Sequence, residues 1–293
     1  MKGDNTLDIQ NKALTMEEII NTVKEIPPFP QTIMRILDTI NDERTGAKDL
    51  EVQIMKDQGL TTKILKLANS AFYRGRREIS TVADASVLLG FSAIQSMVLA
   101  TVAGSLMNKE LPGYALEKEA LWKQSQISAI MTRTIAKKIK YPNPDQAYTA
   151  GLLRDIGKVV LDNYVQGGYD DINFLVENES KSFIVAEEMI LGYHHGQIGA
   201  KIAEKWNLPE ELVEVIACHH NPAVAFVNPE LVAITHISDS LVMMMGIHIG
   251  IDGLAYEFFS DSVRMLGLDD HMLSEIMSEV ADVIESDDVL LEL

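Results

Sequence analysis

Four short stretches of the chain carry residue types that can do chemistry. The first is Leu152-Leu153-Arg154-Asp155-Ile156-Gly157-Lys158, where a charged pair interrupts an apolar, helix-like run. The second is Tyr193-His194-His195-Gly196 and the third Cys218-His219-His220-Asn221-Pro222. The fourth is His236 with Asp239, three positions apart and so on one helix face. Asp155, His195, His219 or His220, and Asp239 offer imidazole and carboxylate donors that suit a divalent transition metal. Each also has an ordinary structural role. An aspartate in an apolar run must find a cation or several donors, and a tie between helices or a salt bridge provides that as well as a metal does. Paired histidines near helix ends are commonly half-exposed, and Cys218 reads as a small core residue rather than a ligand or nucleophile.

A different chemistry is suggested by Tyr73-Arg74-Gly75-Arg76-Arg77, which follows Ala68-Asn69-Ser70. Arg74, Arg76 and Arg77 read as contacts for phosphate or an acidic partner, or as a solvated turn. Lys56, Lys63 and Lys66 add to this basic cluster, whereas all seven histidines lie after the segment Asn108 to Glu117. No P-loop, dinucleotide fingerprint or Gly-x-Ser-x-Gly elbow is present.

The 293 residues are 47% hydrophobic and 23% charged, a globular balance with enough surface to bury a core. Lys and Arg number 25 against 43 Asp and Glu, a net charge of −18. That sign opposes bulk binding to nucleic acid or to an anionic membrane, and it weighs against a helix-turn-helix reading of the first half. The single cysteine excludes an intramolecular disulfide, which fits a reducing cytoplasm. The polar start of the chain lacks the apolar core of a signal peptide. The most membrane-like stretch, Leu231 to Ala255, carries His236, Asp239, His248 and Asp252, each costly in lipid, and reads as a buried amphipathic helix.

The elements that must position these residues are helices. Ile33, Ile36, Leu37 and Ile40 fall on one helical face, as do Ile127, Ile130, Met131, Ile135 and Ile139, and later Val213, Ile216 and Ala217. Thr15 with Glu18 forms a capping box; Asn143 before Pro144, and Asn228 before Pro229, place a cap ahead of a first-turn proline. Pro209 after Asn207 and Leu208 reads similarly. Breakers between the periodic runs give twelve to fourteen helices and an all-α fold. A soft boundary at Asn108 to Glu117 divides an N-terminal helical subdomain, 15–112, from a second helical domain, 113–293. The acidic stretch from Glu275 to Leu293 is expected to dock as a last helix and then fray.

In their order these pieces resemble the HDOD family, regulatory relatives of the HD and HD-GYP metal phosphohydrolases. The matching stretches in the first half are Ile26-Pro27-Pro28-Phe29-Pro30, Asp57 to Ser70, and Ile79 to Ala85 ending in Leu88-Leu89-Gly90. In the second half they are Leu121 to Ser125, Ala150 to Lys158, Leu191 to Gly199, and His219 to Pro222. The resemblance covers about residues 20 to 245. It implies an HD-type helical domain after a leading helical segment.

The departures from that pattern decide the expected function. HD hydrolases hold a metal with a first His, a His-Asp pair and a late Asp. Gln124 stands at the first position and Arg154 at the His of the pair, while Asp155 and Asp239 match the carboxylates. His195 and His219-His220 match the extra histidines of the HD-GYP relatives, but the GYP tripeptide itself is missing; Gly192-Tyr193-His194 is the nearest string. Arg154 cannot ligate a metal, and it could instead neutralise Asp155 in the metal's place. Gln124 offers only an amide oxygen.

The resemblance therefore implies a non-catalytic bacterial signal-transduction module in the cytoplasm, with a degenerate metal site and no catalytic residue. It would act through a protein partner or a nucleotide. Any residual metal (iron, manganese or zinc) would rest on Asp155, His195, His219, His220 and Asp239. The alternative is a metal-dependent phosphohydrolase or phosphodiesterase acting on a nucleotide or cyclic dinucleotide, with Lys158 contacting phosphate.

Overall fold

A computed structural model describes Thr15, Glu18, Asn21, residues 30–70, 72–73 and 78–247, Gly250, and residues 260–286. Arg74, Arg76 and Arg77, residues 26–29, His248, Asp252 and residues 287–293 lie outside the described residues. Among the described residues fourteen α-helices and two 3-10 turns are delimited from Gln31 onward, Glu18 and Asn21 are helical as well, and no strand occurs. The fold is all-α.

Five helices come first: α1 (Gln31–Asn41), α2 (Ala47–Ile54), α3 (Gln58–Ala68), α4 (Val82–Leu89) and α5 (Phe91–Met107). The Ile33, Ile36 and Leu37 face of α1 is buried, as its spacing predicts. Asp57 caps α3 by accepting from Leu60 N–H, and Thr81 caps α4 by accepting from Asp84 N–H. At the end of α3, Asn69 donates to Leu65 O and Ile79 O and accepts from Ile79 N–H, so one side chain ties the end of this helix to Ile79.

After a 3-10 turn at Pro112–Tyr114 come α6 (Ala120–Ile139), α7 (Pro144–Leu153), α8 (Lys158–Glu179), α9 (Phe183–Leu191) and α10 (His195–Lys205). Then follow α11 (Glu210–Cys218), a 3-10 turn at Pro222–Val224, α12 (Pro229–Met244), α13 (Ser260–Met265) and α14 (Asp270–Ser286). The Asn143 and Asn228 caps form, accepting from Gln146 and Leu231 N–H. Pro209 differs: it is itself the cap residue of α11 and makes no side-chain bond, and Asn207 takes a left-handed backbone instead. Thr15 and Glu18 exchange the bonds of a capping box.

Helices α6 and α12 run through the centre. Twelve consecutive residues of α12, Leu231 to Val242, are buried. Its polar positions therefore face protein rather than lipid, and among the described residues no helix is long and apolar enough to cross a membrane. The core is one continuous cluster from Ile33 to Val280. It crosses the Asn108 to Glu117 segment, where Tyr114 is fully buried. Ser96 on α5 meets Thr149 on α7 at 2.8 Å. A Cβ added to Gly104 of α5 would stand 3.2 Å from the Trp122 ring of α6, so the two helices approach closely there. The last helix docks through Ile276 and Val280, with Lys138 paired to Glu275 at 2.5 Å.

Candidate functional site

The turn from α7 into α8 and the start of α10 meet backbone against backbone. A Cβ on Gly157 would lie 1.9 Å from His195 O and 2.6 Å from Gly199 N. Only glycine permits that approach, and it sets Asp155 and Lys158 against His195. The end of α11 supplies His219 and His220, and α12 supplies Asp239. His236 Nδ1 donates to His219 O at 2.8 Å, which ties α12 to the histidine turn without bringing His236 into the donor group.

Arg154 is completely buried. Its Nη2 stands 3.0 Å from Asp155 Oδ2 and 2.7 Å from Asp239 Oδ1; Nε donates to the same Asp239 oxygen at 2.7 Å, and Nη1 donates to Gly151 O. The guanidinium thus bridges the two carboxylates that the sequence assigned to a metal. Lys158 is 1% exposed, with Nζ 3.1 Å from Asp155 Oδ1. It is engaged by this aspartate rather than presented to a phosphate in solvent. Burial alone would raise the Asp155 pKa, but the Arg154 charge, then Lys158 and the two histidines, hold it well below the usual carboxylate range.

On the other side, His195 Nδ1 and its own N–H both reach Glu187 Oε2, at 2.8 and 2.9 Å. Tyr114 O–H donates to Glu187 Oε1 in a short bond. Burial opposes a charged imidazole. The Glu187 charge, the close contact with Asp155 and the bond to Glu187 outweigh it and raise His195 to about 9. Three cations (Arg154, Lys158 and protonated His195) then face three anions (Asp155, Asp239 and Glu187). Such a balance is what makes buried charge tolerable. Burial pushes His220 well down, followed by the neighbouring His219 and His195, so it stays neutral.

The same atoms also fit a divalent ion. Asp155, His195, His219 and His220 each offer a donor atom, all within 4.8 Å of one another. Tetrahedral ligands at about 2.1 Å from an ion stand about 3.4 Å apart. The separations are 3.3 Å for His195 to Asp155, 3.7 Å for His219 to Asp155, and 2.9 Å between His195 Nε2 and His220 Nε2. His219 Nδ1 donates to Ile216 O and His195 Nδ1 to Glu187, which turns both Nε2 atoms inward, the usual orientation of metal-binding imidazoles. Neither oxygen of Asp155 nor His219 Nε2 has a hydrogen bond of good geometry. An ion here would compete with Arg154 and Lys158 for Asp155.

Asp239 corrects the expected ligand set. It lies outside the four-donor group, and its Oδ1 accepts from Arg154. Gln124 is buried, with its amide N–H directed at Met243 Sδ, 4.0 Å away, and its Oε1 without a hydrogen bond. Two partners escaped the sequence reading, Glu187 and Tyr114. Glu187 had a signal: it shares the apolar face of α9 with Phe183 and Ile190, so one of the two adjacent glutamates had to be buried. Tyr114 had none, since it reaches the site from a loop far earlier in the chain.

The HDOD domain family model matches residues 26–222. An HDOD domain protein of unknown function from Geobacter sulfurreducens is 25% identical, with a TM-score of 0.70 over 95% of this chain and 100% of that one. A protein of Shewanella amazonensis SB2B, described provisionally as a phosphohydrolase, is 24% identical, with a TM-score of 0.71 over 94% and 97% of the two chains. An uncharacterized protein of Treponema pallidum (strain Nichols) is 26% identical over 225 residues, 73% of this chain. The match spans 42% of that relative's length, so this chain corresponds to less than half of it.

Proposed function

This chain belongs to the HDOD family, and from that premise we propose that it is a non-catalytic signal-transduction module, acting through a protein partner or a nucleotide. One observation carries the reading: the Arg154 guanidinium lies between Asp155 and Asp239, ion-paired with both. A hydrolytic metal needs open coordination and an activated water. Here a permanent cation and the Lys158 ammonium stand on the carboxylate that would anchor such a metal. The cluster then works as a rigid, charge-balanced joint between α7, α8, α10 and α12.

The test is phosphodiester turnover. Protein purified without a nickel column or chelator is assayed on bis(p-nitrophenyl) phosphate and on cyclic dinucleotides with added manganese, iron or zinc. The expected rate equals that of chelator-treated protein and of Asp155→Asn. Metal-dependent turnover that both treatments abolish would overturn the reading.

A second reading is favoured by the convergence of four donors within 4.8 Å. In it Asp155, His195, His219 and His220 hold a divalent transition ion, which would supply Lewis acidity to a phosphate oxygen or to water. Near-stoichiometric iron, manganese or zinc by elemental analysis, lost in His219→Gln, would support it.

A further inference from the structure

Beside the buried cluster lies a cavity of about 350 Å³. Ser182, Ile184 and Val185 at the start of α9 line it, with Glu188 one turn further on and Ala217 and His220 from the end of α11. That volume lies within the range of small-molecule sites. His220 also touches His195, so an occupant would contact the charged cluster.

The start of α9 lacks the usual satisfaction of its donors. Its first ladder bond runs from Ala186 N–H to Ser182 O, so the amides of Phe183, Ile184 and Val185 lie ahead of the ladder. Ser182 is the cap residue but makes no side-chain cap bond. It is 7% exposed, and its Oγ is buried with no hydrogen-bond partner. A buried hydroxyl next to free helix-terminal amides is a donor set for a phosphate.

Glu188 shares a helix face with Ile184, about 6 Å along the axis. Its Oε1 accepts from Gln197 Nε2 at 3.0 Å. A carboxylate here repels a second phosphate but accepts from the N–H groups of a base. Val185 and Ala217 add apolar surface to the lining.

We propose that this cavity binds a nucleoside monophosphate, with its phosphate on Ser182 and the α9 N-terminus and its base N–H groups on Glu188. The inference rests on the module reading above and deepens it by naming the ligand and its pocket.

Calorimetric titration of the full chain with GMP, AMP and inorganic phosphate tests it. Expected is saturable binding of at least one nucleotide, with inorganic phosphate at least tenfold weaker. Ser182→Ala weakens nucleotide binding about tenfold or more, since a charge-assisted hydrogen bond is lost. Val185→Trp, at a residue already 38% exposed, fills the cavity and removes binding without changing Tm. Glu188→Gln weakens nucleotide but not inorganic phosphate. No saturable binding at millimolar nucleotide, equal affinity for inorganic phosphate, or indifference to Ser182→Ala and Val185→Trp would each overturn the proposal. Failure here with no hydrolysis leaves the module reading standing on a protein partner. Hydrolysis of a bound nucleotide would overturn the module reading and keep the pocket.

Discussion

Helices α1 to α5 and helices α6 to α14 build their interiors from different materials. Among the described residues of the first group the buried polar ones are Ser70, Ser86 and Ser96, and the rest of the interior is non-polar or aromatic. The second group buries Arg154, Asp155, Lys158, Asp162, Glu187, His195, Glu214, His219, His236 and Asp239. The first interior is held by area removed from water, which is insensitive to pH and forgiving of similar shapes. The second depends on charges that satisfy one another, so it is specific and brittle: losing one partner strands another in low dielectric.

The strongest challenge to that contrast is Arg154→Ala. It leaves Asp155 and Asp239 facing each other without their shared cation. A loss of about 3–5 kcal/mol is expected, read as a lower urea midpoint. An unchanged midpoint would mean the ion pairs do not matter to stability.

Ile64→Ala, at a fully buried position of α3, is the counterpart in the apolar interior. The expected cost is about 2–5 kcal/mol. It should be the same at pH 6 and pH 9, because no titrating group is touched. A strong pH dependence of this cost would erase the distinction between the regions.

The pH dependence itself is the third comparison. His195 has a folded pKa of about 9, above the roughly 6.5 of an unfolded histidine. Its contribution is therefore complete below about pH 6.5 and is lost as pH rises through 9. The wild type should lose about 2–3 kcal/mol across that window relative to His195→Gln. Parallel stability curves for the two proteins would show that His195 is neutral when folded.

The smallest effect sharpens the contrast. Lys201 and Glu204 pair at 2.9 Å on the surface of α10, each side chain half exposed. Lys201→Ala should change stability by less than about 0.5 kcal/mol. Charge as such is not what makes the second region brittle; burial is. A loss comparable to that of Arg154→Ala would contradict this.

Much of this was legible in the residues. Helical spacing located the buried faces of α1 and α6, and Asn143 and Asn228 marked two helix starts correctly. On α11 the expected face of Val213, Ile216 and Ala217 is rotated: Ile216 is buried, but Leu212 and Val215 are buried with it and Val213 and Ala217 only partly. Asp155, His195, His219 and His220 were singled out by residue type, and they do converge. Asp239 was grouped with them and instead serves Arg154. Helical position gave its face but not which neighbour would reach it first. Lys158, read as a phosphate contact in the alternative, is buried and paired with Asp155 instead.

Sequence by itself determined the all-α class, the helix starts after Asn143 and Asn228, and the presence of an unusual arginine beside Asp155. Those follow from local rules: side-chain period, capping chemistry and the fixed charge of a guanidinium. Tertiary structure alone decided which charges meet. Arg154 and Asp239 are 85 positions apart, and Tyr114 and Glu187 are 73 apart. Pairings at such separations depend on how helices stack, on close approaches such as that at Gly157, and on each buried charge having to find its partner in three dimensions.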